Sequence, residues 1–246
     1  MIAGWTALWH DVECASYGAD LPLWRELAEA GAGGGPVLDV GCGTGRVALD
    51  LAARGHEVVA VDADPELTKV LQDRARERAL PVSALPADAR TLDLGSHHPL
   101  AILPMQVAQL LGGPTGRASM LARIARHLEP GGIVAIALAD PFGHVPVGEA
   151  LPPLPDLLER DGWVFSSTPI AARDEDGGIA VDRHRQAVSP AGDLTEELAT
   201  VVLESVTAEE LQAEGIQAGL HVQAARAVPP TLDYVGSTVV ILKAPE

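Results

Sequence analysis

Three glycines at alternate positions, Gly41, Gly43 and Gly45, are bracketed by two acids, Asp39 ahead of them and Asp62 at the end of the next apolar run. Glycine lets a backbone turn sharply and lets a ligand approach its N–H groups closely. A carboxylate on either side adds acceptors for hydroxyl or ammonium groups. The surroundings fit such a site. Val37–Val40 is a short apolar strand, the glycines follow, a helix opens at Arg46, and a second apolar strand, Val58–Val61, delivers Asp62. Strand, glycine turn, helix, strand and acid together form a layout that lays an adenosine across the carboxyl ends of parallel strands.

The glycine spacing separates two kinds of adenosine site. Dinucleotide-binding enzymes use Gly-x-Gly-x-x-Gly, with a pyrophosphate on the helix N-terminus. Here Arg46 stands where that pattern needs its last glycine, which disfavours a nicotinamide oxidoreductase. The segment Asp39 to Gly45 instead resembles motif I of the class I S-adenosyl-L-methionine (SAM)-dependent methyltransferases, an acid followed by Gly-x-Gly-x-Gly. A second segment, Leu128-Glu129-Pro130-Gly131-Gly132 ahead of an apolar strand, is similar to the turn that precedes strand five in that family. The resemblance covers about Val37 to Ala139 and the closing strands. It implies that SAM is the cofactor and S-adenosyl-L-homocysteine (SAH) the product. Asp39 would help hold the methionine end, with Gly41, Cys42, Gly43 and Gly45 forming the loop. Asp62 and Ala63 would meet the ribose. Asp88 and Ala89, in the loop after strand three, would meet the adenine, and Leu103, at the end of strand four, would also contact the cofactor. No metal site is expected.

Methyl transfer from a sulfonium is an in-line displacement that needs alignment and exclusion of water more than a catalytic triad. The acceptor-side candidates are therefore few. Gln106 follows strand four, in Leu-Pro-Met-Gln, where some amino-group methyltransferases carry Asn-Pro-Pro-Tyr; the two share a proline and an amide. Gln109 lies nearby, as a second candidate or as ordinary helix surface. His10, His144 and His184 are the candidate bases; His144 follows strand five. His97 and His98 read as an exposed connection. Tyr17 lies in an N-terminal arm, Trp9-His10-Asp11…Tyr17, that resembles the tyrosine-bearing arm closing over SAM in small-molecule members of the family. The expected catalytic set is Tyr17, Gln106 and His144. Arg183 and Arg185 would recognise an acidic acceptor or pair with Glu196, Glu197 or Glu204 across strands.

The 246 residues and a 47% hydrophobic content suit one domain with a sizeable core. A formal charge of −17, with Lys69 and Lys243 the only lysines, argues against a nucleic-acid partner. Cys14 and Cys42 make no disulfide framework, no signal peptide is apparent, and no apolar run is long enough to span a bilayer. A cytoplasmic monomer or homodimer acting on a small molecule is expected. Half of the aromatic residues, Trp5, Trp9, Tyr17 and Trp24, precede the first strand. Trp5 and Trp9 lie one helical turn apart, as a docking face or as a lid over the site.

The elements that must position these residues read as a Rossmann-like α/β fold: a seven-stranded, mostly parallel sheet flanked by helices, with an antiparallel flap inserted after strand five. Residues 1–30 form a helical arm, 31–140 the SAM-binding core, 141–206 the acceptor-side insertion and 207–246 the closing helix and strands. Core helices are expected at 23–30, 46–54, 65–79 and 117–128, and core strands at 37–40, 57–61, 81–84, 100–103 and 133–139. The insertion reads as strands 162–170, 179–188 and 194–205. Thr207-Ala208-Glu209-Glu210 is a capping box opening a helix to about Gln217, and 219–227 and 235–242 are the last two strands. A SAM-dependent methyltransferase acting on nitrogen or oxygen of a small molecule is the expected function. The alternatives are a non-catalytic SAM or SAH binding protein and an aminopropyltransferase using decarboxylated SAM, which Asp39 disfavours.

Overall fold

The computed structural model describes residues 5–31, 35–139, 154–231 and 234–246. The arm contributes α1 (Thr6–Cys14) and α2 (Leu21–Gly31), and the core then alternates: β1 (Val37–Val40), α3 (Arg46–Ala53), β2 (Val58–Asp62), α4 (Pro65–Glu77), β3 (Val82–Pro86) and β4 (His98–Leu103). A short 3-10 turn, Val107–Leu110, leads to α5 (Pro114–His127) and β5 (Leu128–Ala139). The insertion is β6 (Asp156–Arg160), β7 (Trp163–Glu175), β8 (Gly178–Val188) and β9 (Leu194–Glu204). The chain closes with α6 (Ala208–Gln217), β10 (His221–Val222), β11 (Arg226–Val228) and β12 (Ser237–Lys243).

The main sheet runs β10-β12-β5-β4-β1-β2-β3, with β11 also on β12. The five strands from β3 to β5 are parallel, so all five carboxyl ends open on one side. β12 joins antiparallel to β5, and β10 and β11 both pair antiparallel with β12. The expected single strand 219–227 is therefore broken into two short pieces around residues 223–225. The seven-stranded, mostly parallel arrangement stands, with its seventh place divided. β1 and β4 are buried along their whole length, as strands covered on both faces must be. Alternate residues feed opposite layers. Val37, Leu100 and Ile102 pack beneath Trp24, Leu51 and Leu71, whereas Leu38, Ala101 and Leu103 pack against Met120, Leu121 and Ile124 of α5 and Leu211 of α6.

The expected turn at Leu128–Gly132 is the bulged opening of β5: the register slips between the His98–Leu128 and Leu100–Ile133 pairs. Gly131 takes a φ of +72°, and a side chain on Gly132 would collide with the carbonyls of Glu129 and His98. His98 is not an exposed connection, although His97 is exposed. His98 begins β4 fully buried, with Nδ1 3.0 Å from the Pro36 carbonyl and Nε2 3.1 Å from Ser96 Oγ.

The insertion is a separate antiparallel sheet, β6-β7-β8-β9, in which β6 is a strand beyond the three expected. The arm docks on this sheet. Trp5 and Trp9 do share a face, with ring centroids 6.3 Å apart, and that face meets Phe165 and Trp163 of β7 edge-on. The capping box is formed in full: Thr207 accepts from the Glu210 N–H and Glu210 accepts from the Thr207 N–H. Among the described residues no helix is long and apolar enough to cross a membrane.

Candidate functional site

The site gathers at the carboxyl ends of β1 and β2. Gly41, Gly43 and Gly45 have φ of +74°, +54° and +95°, conformations that side chains rarely adopt. Each also faces a near neighbour. A Cβ on Gly41 would stand 2.4 Å from Val107, one on Gly43 2.2 Å from His10 Nε2, and one on Gly45 2.1 Å from Leu71. The first two glycines leave their space to side chains at the mouth of the site, and the third seats α3 against α4.

Asp62 braces the loop. Its Oδ2 accepts from the Gly43 N–H at 2.9 Å and its Oδ1 from the Asp64 N–H at 2.9 Å. Each oxygen keeps a lone pair for a ligand hydroxyl. Asp39 has no such support. It is 1% exposed, and neither carboxylate oxygen has a hydrogen-bond partner. Burial drives its pKa up to about 7, further raised by Asp62 and opposed by Arg46. Cys42 is buried in the loop, and burial followed by the charges of Asp39 and Asp62 lifts its thiol well above the ordinary range. It is therefore no nucleophile.

The arm closes one wall through charged contacts. Asp11 accepts from Thr44 Oγ1 at 2.7 Å and from Arg74 of α4. Burial raises the Asp11 carboxyl, but Arg74 and Thr44 outweigh it and hold the pKa low. His10 Nδ1 lies 3.2 Å from the same Thr44 oxygen. Because the Thr44 proton goes to Asp11, His10 donates through Nδ1–H, and Nε2 is left as a free acceptor over Gly43. Burial lowers the His10 pKa against the pull of Asp62 and Asp11, which favours this neutral form.

Arg46 chelates Asp20 with contacts of 2.6 and 2.7 Å and donates to the Tyr17 carbonyl at 2.8 Å. Its guanidinium lies 5.0 Å from the Tyr17 ring centroid, and the ring packs on Tyr234 at 4.9 Å. Tyr17 is buried, and burial followed by the Asp20 charge raises its phenol pKa.

The remaining expected residues distribute unevenly. Leu103 is buried at the end of β4. Beyond Pro104, Met105 takes a φ of +60°, strained for a residue with a side chain. Gln106 then precedes Val107, which covers Gly41. Ala63 is exposed and Ala89 buried. Asp88 accepts from its own Arg90 N–H at 2.8 Å and from the Arg90 guanidinium, which holds its carboxyl below the usual range. That is the self-capping geometry of a turn aspartate, in which any adenine contact must share the carboxylate with Arg90. His144 lies outside the described residues. His184 faces away from the arm and meets Glu196 at 3.1 Å.

Arg185 does pair across strands with Glu197, at 3.3 Å, but Glu204 pairs with Arg117 instead. The principal partner of Arg185 is Glu13 of α1, at 2.7 and 2.9 Å. Arg183 joins Glu13, Asp156 and Ser167. Gln109 is neither a ligand nor surface: it is buried, with its amide bonded to both backbone groups of Ala139 and to the Glu204 carbonyl. Asp20, Thr44 and Arg74 escaped the sequence reading. Thr44 carried a signal, since it stands inside the loop; Arg74 carried none.

Comparison with known proteins agrees with this geometry. The methyltransferase domain family matches residues 37–132. The cypemycin N-terminal methyltransferase of a Streptomyces species is 34% identical over 126 residues, which is 51% of this chain and 50% of that protein. The ubiquinone biosynthesis O-methyltransferase of Caulobacter vibrioides is 32% identical over 102 residues, 41% of this chain and 39% of that one. The chain thus spans half or less of the length of these curated relatives. Among solved structures, SAM-bound CalS10, an amino pentose methyltransferase of Micromonospora echinaspora involved in calicheamicin biosynthesis, superposes with a TM-score of 0.70 at 20% identity, covering 95% of this chain and 94% of that one. Residues 37–132, the parallel core that carries the glycine loop and both acids, are similar to the methyltransferase domain, and the fold is that of the SAM-dependent methyltransferases.

Proposed function

We propose that this chain, acting as a single domain, transfers a methyl group from SAM to a nitrogen or oxygen of a small molecule and releases SAH. The observation that carries the reading is the buried, unpartnered Asp39 beneath a glycine loop braced by Asp62. A carboxylate without a partner in that position calls for a cationic group, and the methionine end of SAM carries an ammonium. The free lone pairs of Asp62 suit ribose hydroxyls. When bound, SAM supplies a methyl on a positive sulfur that an acceptor displaces in line. The residues of this chain bind, align and exclude water. Glu13 of the arm, paired with Arg183 and Arg185 of β8, ties the arm to the insertion. Tyr17, Gln106 and His144 are assigned to the acceptor side, and His10, with Nε2 free, is the base that the described residues supply. A nitrogen acceptor is favoured by the amine substrates named for the cypemycin enzyme and CalS10.

Calorimetric titration of ligand-stripped protein with SAM, SAH and NADH tests the reading. Binding of both adenosyl ligands and not NADH is the expected result. Asp62→Ala, which removes the brace on Gly43 as well as the ribose acceptors, is expected to weaken SAM at least about tenfold. Tight NADH binding, or unchanged SAM affinity in Asp62→Ala, overturns the assignment.

A further inference from the structure

A carboxylate that is 1% exposed and has no hydrogen-bond donor is an expensive group to keep charged. Every charged element packed near Asp39 bears on it. Arg46 of α3 attracts the ionised form, Asp62 at the end of β2 and Asp20 between the arm helices repel it, and the Cys42 thiol shares its pocket. Arg46 is chelated by Asp20 with both carboxylate oxygens, so most of its charge is spent there. The Ala48 backbone N–H, in the first turn of α3, opposes the rise but forms no hydrogen bond to Asp39. A buried acid in this setting is stabilised by a proton or by a cation.

We infer that Asp39 exchanges one for the other: its carboxyl holds a proton while no cation is present and gives that proton to solvent when a ligand ammonium takes its place. The step balances as carboxylic acid plus ammonium ligand giving a carboxylate–ammonium pair plus one released proton. The inference rests on the SAM reading and adds to it that cofactor capture is proton-linked through one residue. The carboxyl value of about 7 places the exchange near neutrality. A free α-amino group ionises at about 7.7–8.0, so between pH 6 and 7 the ligand stays cationic and Asp39 is the group that changes. SAM and SAH should therefore bind about fivefold more tightly at pH 7 than at pH 6.

The experiment is calorimetry at pH 6.5 in two buffers of different ionisation enthalpy, with SAM, SAH and 5′-methylthioadenosine, which lacks the amino-acid end. About three quarters of a proton released with SAM and SAH, and none with 5′-methylthioadenosine, is expected. Asp39→Asn should abolish the release and flatten the pH dependence, whereas His56→Gln, at a histidine between α3 and β2 outside the site, should keep both. Equal release in Asp39→Asn and the native protein, or no release with SAM, overturns the inference while leaving SAM binding intact. Failure of all three adenosyl ligands to bind would instead refute the function reading, and the inference with it. Carboxyl carbon-13 NMR of the ligand-free native protein is an independent check, needing neither a ligand nor a folded variant. One aspartate titrating near neutrality supports the inference, and its absence sinks it.

Discussion

The Asp20–Arg46 pair is the joint between the arm and the cofactor loop, and its removal should be costly. Both side chains are nearly sealed, 3% and 9% exposed. The pair is bidentate, and Asp20 also accepts from Trp24 Nε1 at 2.8 Å. Asp20→Ala leaves a guanidinium buried without its counter-ion, which costs about 3–5 kcal/mol, and leaves the indole N–H without an acceptor. The two losses share one site and do not simply add; about 4 kcal/mol is expected. With an m-value of about 2.5 kcal/mol/M, the urea midpoint should fall by about 1.6 M. Asp20→Leu combined with Arg46→Met removes both charges at once and should recover all but about 1–2 kcal/mol, the share owed to Trp24. A midpoint shift below about 0.3 M for Asp20→Ala would show that water or a neighbour compensates Arg46. A double variant as unstable as the single one would show that the cost was never electrostatic.

Two further outcomes follow from the geometry. Burial lowers the His98 pKa below its ordinary value of 6.5, against the hydrogen bond to Pro36. The unfolded chain thus takes up the proton first, so His98 costs nothing above that value and erodes stability as pH falls through it, by up to about 1.4 kcal/mol per pH unit. Urea midpoints at pH 5.5 and 7.5 should separate less in His98→Gln than in the native protein, and parallel behaviour would refute the assignment. Gly41→Ala places a Cβ 2.4 Å from Val107 at a φ of +74° and should cost about 2–3 kcal/mol along with most SAM affinity. Adding Val107→Ala relieves the clash but not the backbone strain, so the double variant should lose less than the sum of the singles; strict additivity in denaturation would show that the two residues do not touch.

What the sequence made legible is what local chemistry dictates. The bounds of β1, the glycine loop, the Thr207–Glu210 box and the strands 162–170, 179–188 and 194–205 of the insertion are all set by residues close in the chain. The parallel core followed from apolar runs that alternate with amphipathic helices. The misreadings share a different cause. His98 looks like loop until Pro36, far back in the chain, supplies its acceptor. Gln109 looks like surface until Ala139 and Glu204 converge on its amide. The sequence 219–227 reads as one strand, and only its pairing with β12 shows the break. Asp88 carries the family's position but spends its carboxylate on a neighbour two residues away, a competition that position alone does not reveal.

Gln109 bears on how this protein is built to change. Its amide bonds to Ala139, where the chain leaves the core, and to Glu204, where it returns. The insertion therefore departs and rejoins at one clasp, like a cartridge with both contacts on the same terminal. The strands that carry Asp39 and Asp62 lie on the core side of that clasp. Grafting a relative's insertion between these two points, with Gln109 kept, would test the proposed role of the insertion on the acceptor side.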